Sequence, residues 1–186
     1  IDDLSGDPLS DLSIGRLTLT DEDGVWLEIE NARIVWRPSA LLGRELAVES
    51  LSAERVHVRR RPRPAAASGE GGSGDGGFRV RVDAFDVTTL ALDEPVVGVA
   101  AEYTARGALV RADGAVSLDA VLDRLDQPGD RIIAEARFGE DIRVDAEIDA
   151  AADGALSAAL GMAGHALQAE IDARGGVDAG EGRYDI

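Results

Sequence analysis

Apolar and polar residues alternate along most of the chain, as in β-strands that have one dry face and one wet face. In the run 25–30, Val25, Leu27 and Ile29 are separated by Trp26 and Glu28. Runs of the same kind are found at 56–58, 80–82, 116–118, 134–138, 142–148 and 167–173. One-sided strands of this kind are typical of antiparallel sheets, so the chain is predicted to be mainly β.

Two parts of the pattern need a separate interpretation. The alternation slips by one residue near Asn31 and Ala32, which predicts a β-bulge. The run 97–103 is predicted as a further strand, with Val97, Val99, Ala101 and Tyr103 on one face.

Turn residues separate the runs and allow most strands to be joined as a simple meander. The predicted turns are Asp23-Gly24, Asp113-Gly114, 127–130, 139–141 and Asp153-Gly154. A short helix is predicted at 38–43, where Pro38 stands at the start and Gly43 at the end. A second short helix is predicted at 154–161, with Asp153 as its cap.

An Arg- and Pro-rich stretch, 59–64, leads into a Gly/Ser-rich stretch at 65–77. The composition of 65–77 predicts a flexible loop. Strands on both sides have the same character, so residues 1–186 are predicted to be one β-segment that contains this loop. The Arg run 59–63 is interpreted as a solvated strand end rather than as a lipid-headgroup contact.

Charge and composition narrow the function classes. The chain has 19 basic residues, all of them Arg, against 36 acidic ones, for a net charge of −17. Nucleic acid is therefore not an expected partner, because its binding requires clustered cations. The absence of Cys excludes disulfides and thiolate chemistry. The chain has no transmembrane or signal segment and begins without Met, and we expect it to be a piece of a longer protein.

Catalytic and metal-binding motifs lack the context that they need. The stretch 69–74 matches G-x-G-x-x-G, but no apolar strand precedes it and no helix follows it. His57 and His165 are the two histidines, and nothing at a workable spacing completes a zinc site. No nucleophile elbow is present, and aromatic residues for sugar stacking are scarce. We therefore expect no enzyme activity, no cofactor and no metal.

The dry face itself is the remaining candidate site. In a closed sandwich it would pack on a second sheet, whereas in an open trough it would face a channel that suits acyl chains. The periodicity alone leaves both arrangements open.

The N-terminal third resembles the TamB family of large envelope proteins, which are related to the AsmA-like group. The resemblance is carried by 17–27 (LTLTDEDGVWL), 34–43 (IVWRPSALLG) and 46–48 (LAV). In both, a strand, a D-x-x-G turn, a second strand and W-x-P-x-x-L-L precede a further strand. A second echo is 154–161 (GALSAALG), followed by a strand and Gly175-Gly176.

This resemblance implies an antiparallel sheet curled into an open U-shaped groove that conducts phospholipids towards the outer membrane. It implies a periplasmic segment of a protein anchored in the inner membrane of a Gram-negative bacterium. The implied partners are phospholipid acyl chains and, through regions outside this chain, a barrel of the TamA type. The residues expected to line the groove are Leu27, Ile29, Val80, Val82, Val97, Val99, Val116, Leu118, Ile142, Val144 and Ile148.

Two alternatives to lipid conduction stay open. One is a chaperone-like scaffold for outer-membrane protein or autotransporter assembly, which would use a sheet edge. The other is a closed β-sandwich with a purely structural role.

Overall fold

A computed structural model describes residues 2–7, 9–63, 78–127 and 129–176. Ten strands account for most of these residues, and the predicted 65–77 loop lies outside them. The strands are β1 (Asp2–Asp7), β2 (Asp11–Asp21), β3 (Gly24–Arg37), β4 (Glu45–Val58), β5 (Arg79–Leu92), β6 (Ala101–Ala112), β7 (Ala115–Arg124), β8 (Arg131–Phe138), β9 (Asp141–Ala150) and β10 (Leu167–Gly176).

Three short helices occur in this part of the chain, where the sequence predicted two. A 3₁₀ helix spans Pro38–Gly43, as Pro38 and Gly43 predicted. Helix α1 spans Glu94–Val97, and helix α2 spans Ala155–Ala159 within the longer helix predicted there. None of these helices is long and apolar enough to cross a membrane.

The ten strands form one sheet in sequence order, from β1 to β10. All neighbouring pairs are antiparallel except β4 and β5, which run parallel in register from Glu45↔Arg79 to Val58↔Leu92. The simple meander therefore fails at this one connection, because parallel neighbours cannot be joined by a hairpin. The strands on both sides of the Gly/Ser-rich stretch nevertheless share the sheet.

The sheet has two rims, formed by the two sets of strand ends. We call one the helix rim, because α1 and α2 follow strands that end there, namely β5 and β9. The other is called the turn rim, because the β6–β7 and β8–β9 turns and the 3₁₀ helix lie there. At Asp113 and Gly114 of the β6–β7 turn the φ angles are 51° and 77°, as an Asp-Gly turn between antiparallel strands requires.

The alternation slips at Asn31 as predicted, but the predicted β-bulge is wrong, because β2 and β3 keep one register from Ile14↔Ala32 to Arg16↔Glu30. The slip extends over three strands. Asn31 has a left-handed φ of 51°, and the inward positions step from Ile29 to Ala32. Ile14 pairs with Ala32, and Ala32 pairs with Ala53. The alternation of inward and outward side chains therefore slips at paired positions in β2, β3 and β4. The register is therefore kept, and the apolar residues stay on one face on both sides of the irregularity.

The core within the described residues consists mostly of small side chains. Eight of its eleven buried apolar residues are Ala, and the larger ones are Ile14, Val48 and Tyr103. A closed sandwich would bury Leu, Ile and Val between two sheets, whereas here all ten strands belong to one sheet. The prediction of a mainly β, open sheet is confirmed, and the sandwich alternative is wrong.

The predicted strand 97–103 is wrong in its first half. Val97 ends helix α1 and Val99 lies in the following loop, while β6 begins at Ala101. The stretch before β6 has Pro95 in the first turn of α1 and Gly98 at its end, with a left-handed φ of 87°. Such a Pro and Gly pair is a helix signal, and it outweighs two alternating valines.

Candidate apolar groove

The register gathers the predicted lining residues on one face of the sheet. Residues directly opposite each other on neighbouring strands share a face, and apolar residues occupy most of these inward positions from β2 to β10. One inward row runs Val82, Leu109, Leu118, Ala136 and Val144 across β5 to β9. The predicted residues found in inward rows are Leu27, Ile29, Val80, Val82, Val116, Leu118, Ile142, Val144 and Ile148.

A row of small residues lies along the middle of this face. Gly107, Ala120, Ala134 and Ala146 stand opposite one another on β6 to β9. Larger side chains flank this row on both sides, which leaves a furrow that crosses the strands. On one side these include Leu109, Leu118 and Val144, and on the other Leu122, Ile132 and Ile148.

Phe85 closes the β5 end of the furrow. A Cβ on Gly107 would lie 2.8 Å from the Phe85 ring, so the ring lies across the glycine. An aromatic ring over a strand glycine restores packing that the glycine lacks. The furrow therefore begins at Phe85 and continues over the alanines towards Ile171 on β10.

The other two predicted lining residues, Val97 and Val99, lie outside the strands. Val97 packs with Leu92, Ala101 and Tyr103 in the cluster beneath the two α-helices. Val99 lines a cavity of about 220 Å³ at helix α2, together with Ala158. They belong to a cover over the helix rim rather than to the sheet.

This cover is held by a buried polar cluster. The Asp130 carboxylate accepts hydrogen bonds from the Tyr103 hydroxyl at 3.2 Å and from Arg124 Nη1 at 3.0 Å. It also accepts from the backbone N–H groups of Ala151 at 2.9 Å and Leu156 at 3.3 Å, which lie before and within α2. The Arg124 and Asp130 side chains are 1% and 0% exposed. Because a buried carboxylate without partners is costly, these four bonds fix α2 to the sheet.

The ionisation of this cluster follows from its contacts. A bidentate bond from Arg124 to Asp126 raises the pKa of Arg124 and lowers the pKa of Asp126. Burial, together with the charge of Asp130, raises the pKa of the Tyr103 hydroxyl. Arg124 therefore stays charged and Tyr103 stays neutral near neutral pH.

The Arg run that follows β4 is tied to internal acceptors. Arg60 pairs with Asp21 and donates to the carbonyl oxygen of Gly24 at 2.8 Å, and the Arg60 hydrogen bond lowers the pKa of Asp21. Arg59 pairs with Glu28 at 2.6 Å, and Arg61 donates to the carbonyl oxygen of Val96 at 3.1 Å. The run therefore fastens the β2–β3 turn and α1 to the end of β4, in addition to being a strand end.

The outer face carries the charges. Cross-strand ion pairs join Arg16 to Glu30 at 2.9 Å and Arg33 to Asp11 at 2.5 Å. His57 lies on this face, with Nε2 2.8 Å from Asp93 Oδ1. In the described ranges no cluster of three or more His, Asp or Glu residues is arranged to hold a metal ion.

Alternation placed Ala134 and Ala146 on the dry face, but sequence reasoning missed Ala120, the row of small residues across the strands and the Phe85–Gly107 contact. The alternation Leu118, Ala120, Leu122 contained the signal, but Ala is too common in this chain to mark a dry face by itself. Comparisons of the chain with protein-family models, with curated proteins and with solved structures found no match.

Proposed function

We propose that this chain is a segment of a lipid-conducting β-groove in which the inward face carries phospholipid acyl chains. The observation that supports it is the apolar face of β2 to β10, most of whose large side chains are only partly buried. Exposed apolar area of this extent is unusual in a monomer unless it binds something. Each methylene that moves from water into the groove contributes about 0.8 kcal/mol.

The furrow gives the groove a direction. It crosses the strands, so an acyl chain in it lies perpendicular to them and passes from one strand to the next. No charged residue interrupts the furrow row from Gly107 to Ile171. The lining is passive and has no catalytic role.

The wider setting in this proposal comes from the resemblance to the TamB family. In that setting the chain is periplasmic and belongs to a protein that bridges the inner and outer membranes and moves phospholipid outwards. A barrel of the TamA type would be engaged by regions outside this chain. The acidic outer face would keep the groove soluble and limit adhesion to anionic bilayers.

The test places one carboxylate in the groove and a matched one on the outside. Val144→Asp puts a charge in an inward row, whereas Val110→Asp puts it on the outer face of β6, where Val110 is already exposed. Native mass spectrometry of the purified chains measures copurifying phospholipid. We expect Val144→Asp, and likewise Val82→Asp, to lose at least about tenfold in bound lipid while Val110→Asp keeps it. Equal lipid content in the inward and outward variants would contradict the proposal.

The chaperone-like scaffold is the second candidate, and strand β10 favours it. Among the described residues β10 pairs only with β9, in register over all ten positions, so its other edge is open to a further strand. At the opposite edge, β1 has six residues and left-handed φ angles at Asp3 and Gly6, which make it a poor template. Photo-crosslinkers at Gln168 and at inward Ile171 distinguish the candidates. Capture of outer-membrane protein strands at both positions, without lipid at Ile171, would favour the scaffold.

A further inference from the structure

Two arginines are the charged residues in the inward rows of β5 to β9, and they lie at opposite rims. Arg124, at the helix rim, is buried and bonded to Asp126 and Asp130. Arg111, at the turn rim, stands between Val80 and Val116 in the outermost inward row. Arg111 is exposed and has no ion pair with any carboxylate in the described part of the chain.

Two further arginines lie beside Arg111. The backbone N–H of Arg79 donates to the carbonyl oxygen of Arg44 at 2.9 Å, and Arg79 directly precedes Val80, the pairing partner of Arg111. These three residues therefore stand on or next to three adjacent strands at one rim, with Arg111 in an inward row and Arg79, one position before inward Val80, on the outer face. We call Arg44, Arg79 and Arg111 the turn-rim arginines.

The turn-rim arginines are weakly neutralised. Arg79 approaches Asp113 at 3.6 Å, and both side chains are largely exposed, so this pair contributes little. The neighbouring Glu45 pairs with Arg81 at 3.0 Å instead. Within the described residues, Arg44 and Arg111 are the arginines of this set without an ion pair, in a chain whose net charge is −17.

Exposed apolar side chains stand next to these cations. Leu42 of the 3₁₀ helix is 93% exposed, and Phe78, which precedes β5, is 49% exposed. Protein segments that lie at the polar–apolar boundary of lipids typically combine exposed apolar side chains with arginines. Among the described residues α1 and α2 lie over the opposite rim, so we expect a headgroup to leave the groove at the turn rim.

We propose that the turn-rim arginines bind the phosphate of a lipid whose acyl chain lies in the groove. This inference rests on the proposed function and adds a headgroup site to it. Guanidinium groups bind phosphate oxygens through paired, charge-assisted hydrogen bonds. The site selects amphiphiles that carry a phosphate close to their acyl chain. It does so although the acidic protein as a whole is expected to repel anions.

The experiment compares two single-chain lipids that have the same myristoyl tail, lysophosphatidic acid and monoacylglycerol. Binding to the whole chain is measured by titration calorimetry below the concentration at which the lipids form micelles. We expect the phosphate lipid to bind about tenfold more tightly, and this preference to vanish in Arg111→Gln and to weaken in 1 M salt. Arg143→Gln is the matched control, because Arg143 lies near the same rim on the outer face.

The outcomes separate this inference from the proposed function. Equal binding of both lipids, unchanged by Arg111→Gln, overturns the headgroup site and leaves the groove standing. Failure of both lipids to bind overturns the groove itself. Inorganic phosphate binding as tightly as the lysophospholipid would show an anion site that needs no tail, which contradicts a lipid source. A loss of preference in Arg143→Gln equal to that in Arg111→Gln would also overturn the site.

Discussion

The apolar face has a covered part beneath α1 and α2 and an open part on β8 to β10. In the covered part Tyr103 is 2% exposed, and Ala155 and Ser157 of α2 are fully buried. In the open part Phe138, at the end of an equally regular strand, is 46% exposed. Both parts follow the same alternation of apolar and polar residues. The comparison teaches that alternation creates a dry face, whereas the segments between strands decide whether it is covered.

The cover is held differently from the rest of the sheet. Neighbouring strands are joined by backbone ladders, but α2 is joined to β6 to β8 through the side chains of Asp130, Arg124 and Tyr103. A single substitution can therefore release the cover and leave the ladders intact.

The largest effect is expected from Asp130→Ala. It leaves Arg124 buried with only Asp126 as its partner and removes the acceptor for Tyr103 and for two backbone N–H groups. We expect a loss of about 3 kcal/mol in the free energy of unfolding, measured by urea denaturation. Hydrogen exchange should rise in 151–160 before it rises in β8 and β9.

Asp153→Ala serves as the control for that experiment, because Asp153 is exposed beside the same helix. The predicted Asp153 cap is wrong: the N-cap of α2 is Gly154, and no side chain caps the helix. The effect of Asp153→Ala should stay within about 0.5 kcal/mol. Equal losses in the two variants would show that the buried cluster does not hold the cover.

A smaller effect is expected from Gly154→Ala. The φ of Gly154 is −75°, which Ala adopts easily, but a Cβ there would lie 2.0 Å from Asp130 Oδ1. The added methyl group must push α2 away from the sheet, at about 1–3 kcal/mol. Gly43→Ala is the matched control, because a Cβ at Gly43 meets nothing within 4 Å. If both variants change the midpoint of thermal unfolding by the same amount, close packing of α2 on Asp130 is disproved.

The smallest effect is expected from lowering the pH. It allows carboxylates in the cover to be compared with carboxylates on the outer face. Hydrogen bonds from arginine lower the pKa of Asp126 in the cover and of Asp11 and Glu28 outside it. A carboxylate whose pKa is lower in the folded chain stabilises the fold at pH values above its pKa in the unfolded chain, which is about 4. This stabilisation is lost as the pH falls through the pKa of the folded chain. The urea midpoint should therefore fall between pH 5 and pH 3.

The variant Asp126→Asn sharpens the acid experiment. It removes one of these carboxylates, so its midpoint at pH 7 should be lower and its decline towards pH 3 shallower than in the parent chain. A urea midpoint that rises as the solution is acidified would contradict the expectation that these carboxylates stabilise the folded chain.

The local alternation of apolar and polar residues predicted many of the strands and the faces of their residues, but it predicted less of the groove. Val80, Val116 and Val144 were placed correctly because alternation over a few residues fixes which face they occupy. Val97 was misplaced because two valines at alternate positions also fit one turn of helix, and Pro95 and Gly98 carried the stronger signal. The furrow stayed hidden because it joins Gly107, Ala120 and Ala134 from three strands, whose register no local pattern reveals.

The sequence by itself determined that the chain forms one-sided strands with an acidic exterior, since these follow from the order of neighbouring residues and from composition. Only the tertiary structure decided that β4 and β5 run parallel, that α2 covers one rim and that Arg111 lies in an inward row at the other. Each of these depends on contacts between residues far apart in the chain, such as Asp130 with Leu156. Such contacts are selected by the packing of the whole sheet, so no single stretch of sequence specifies them.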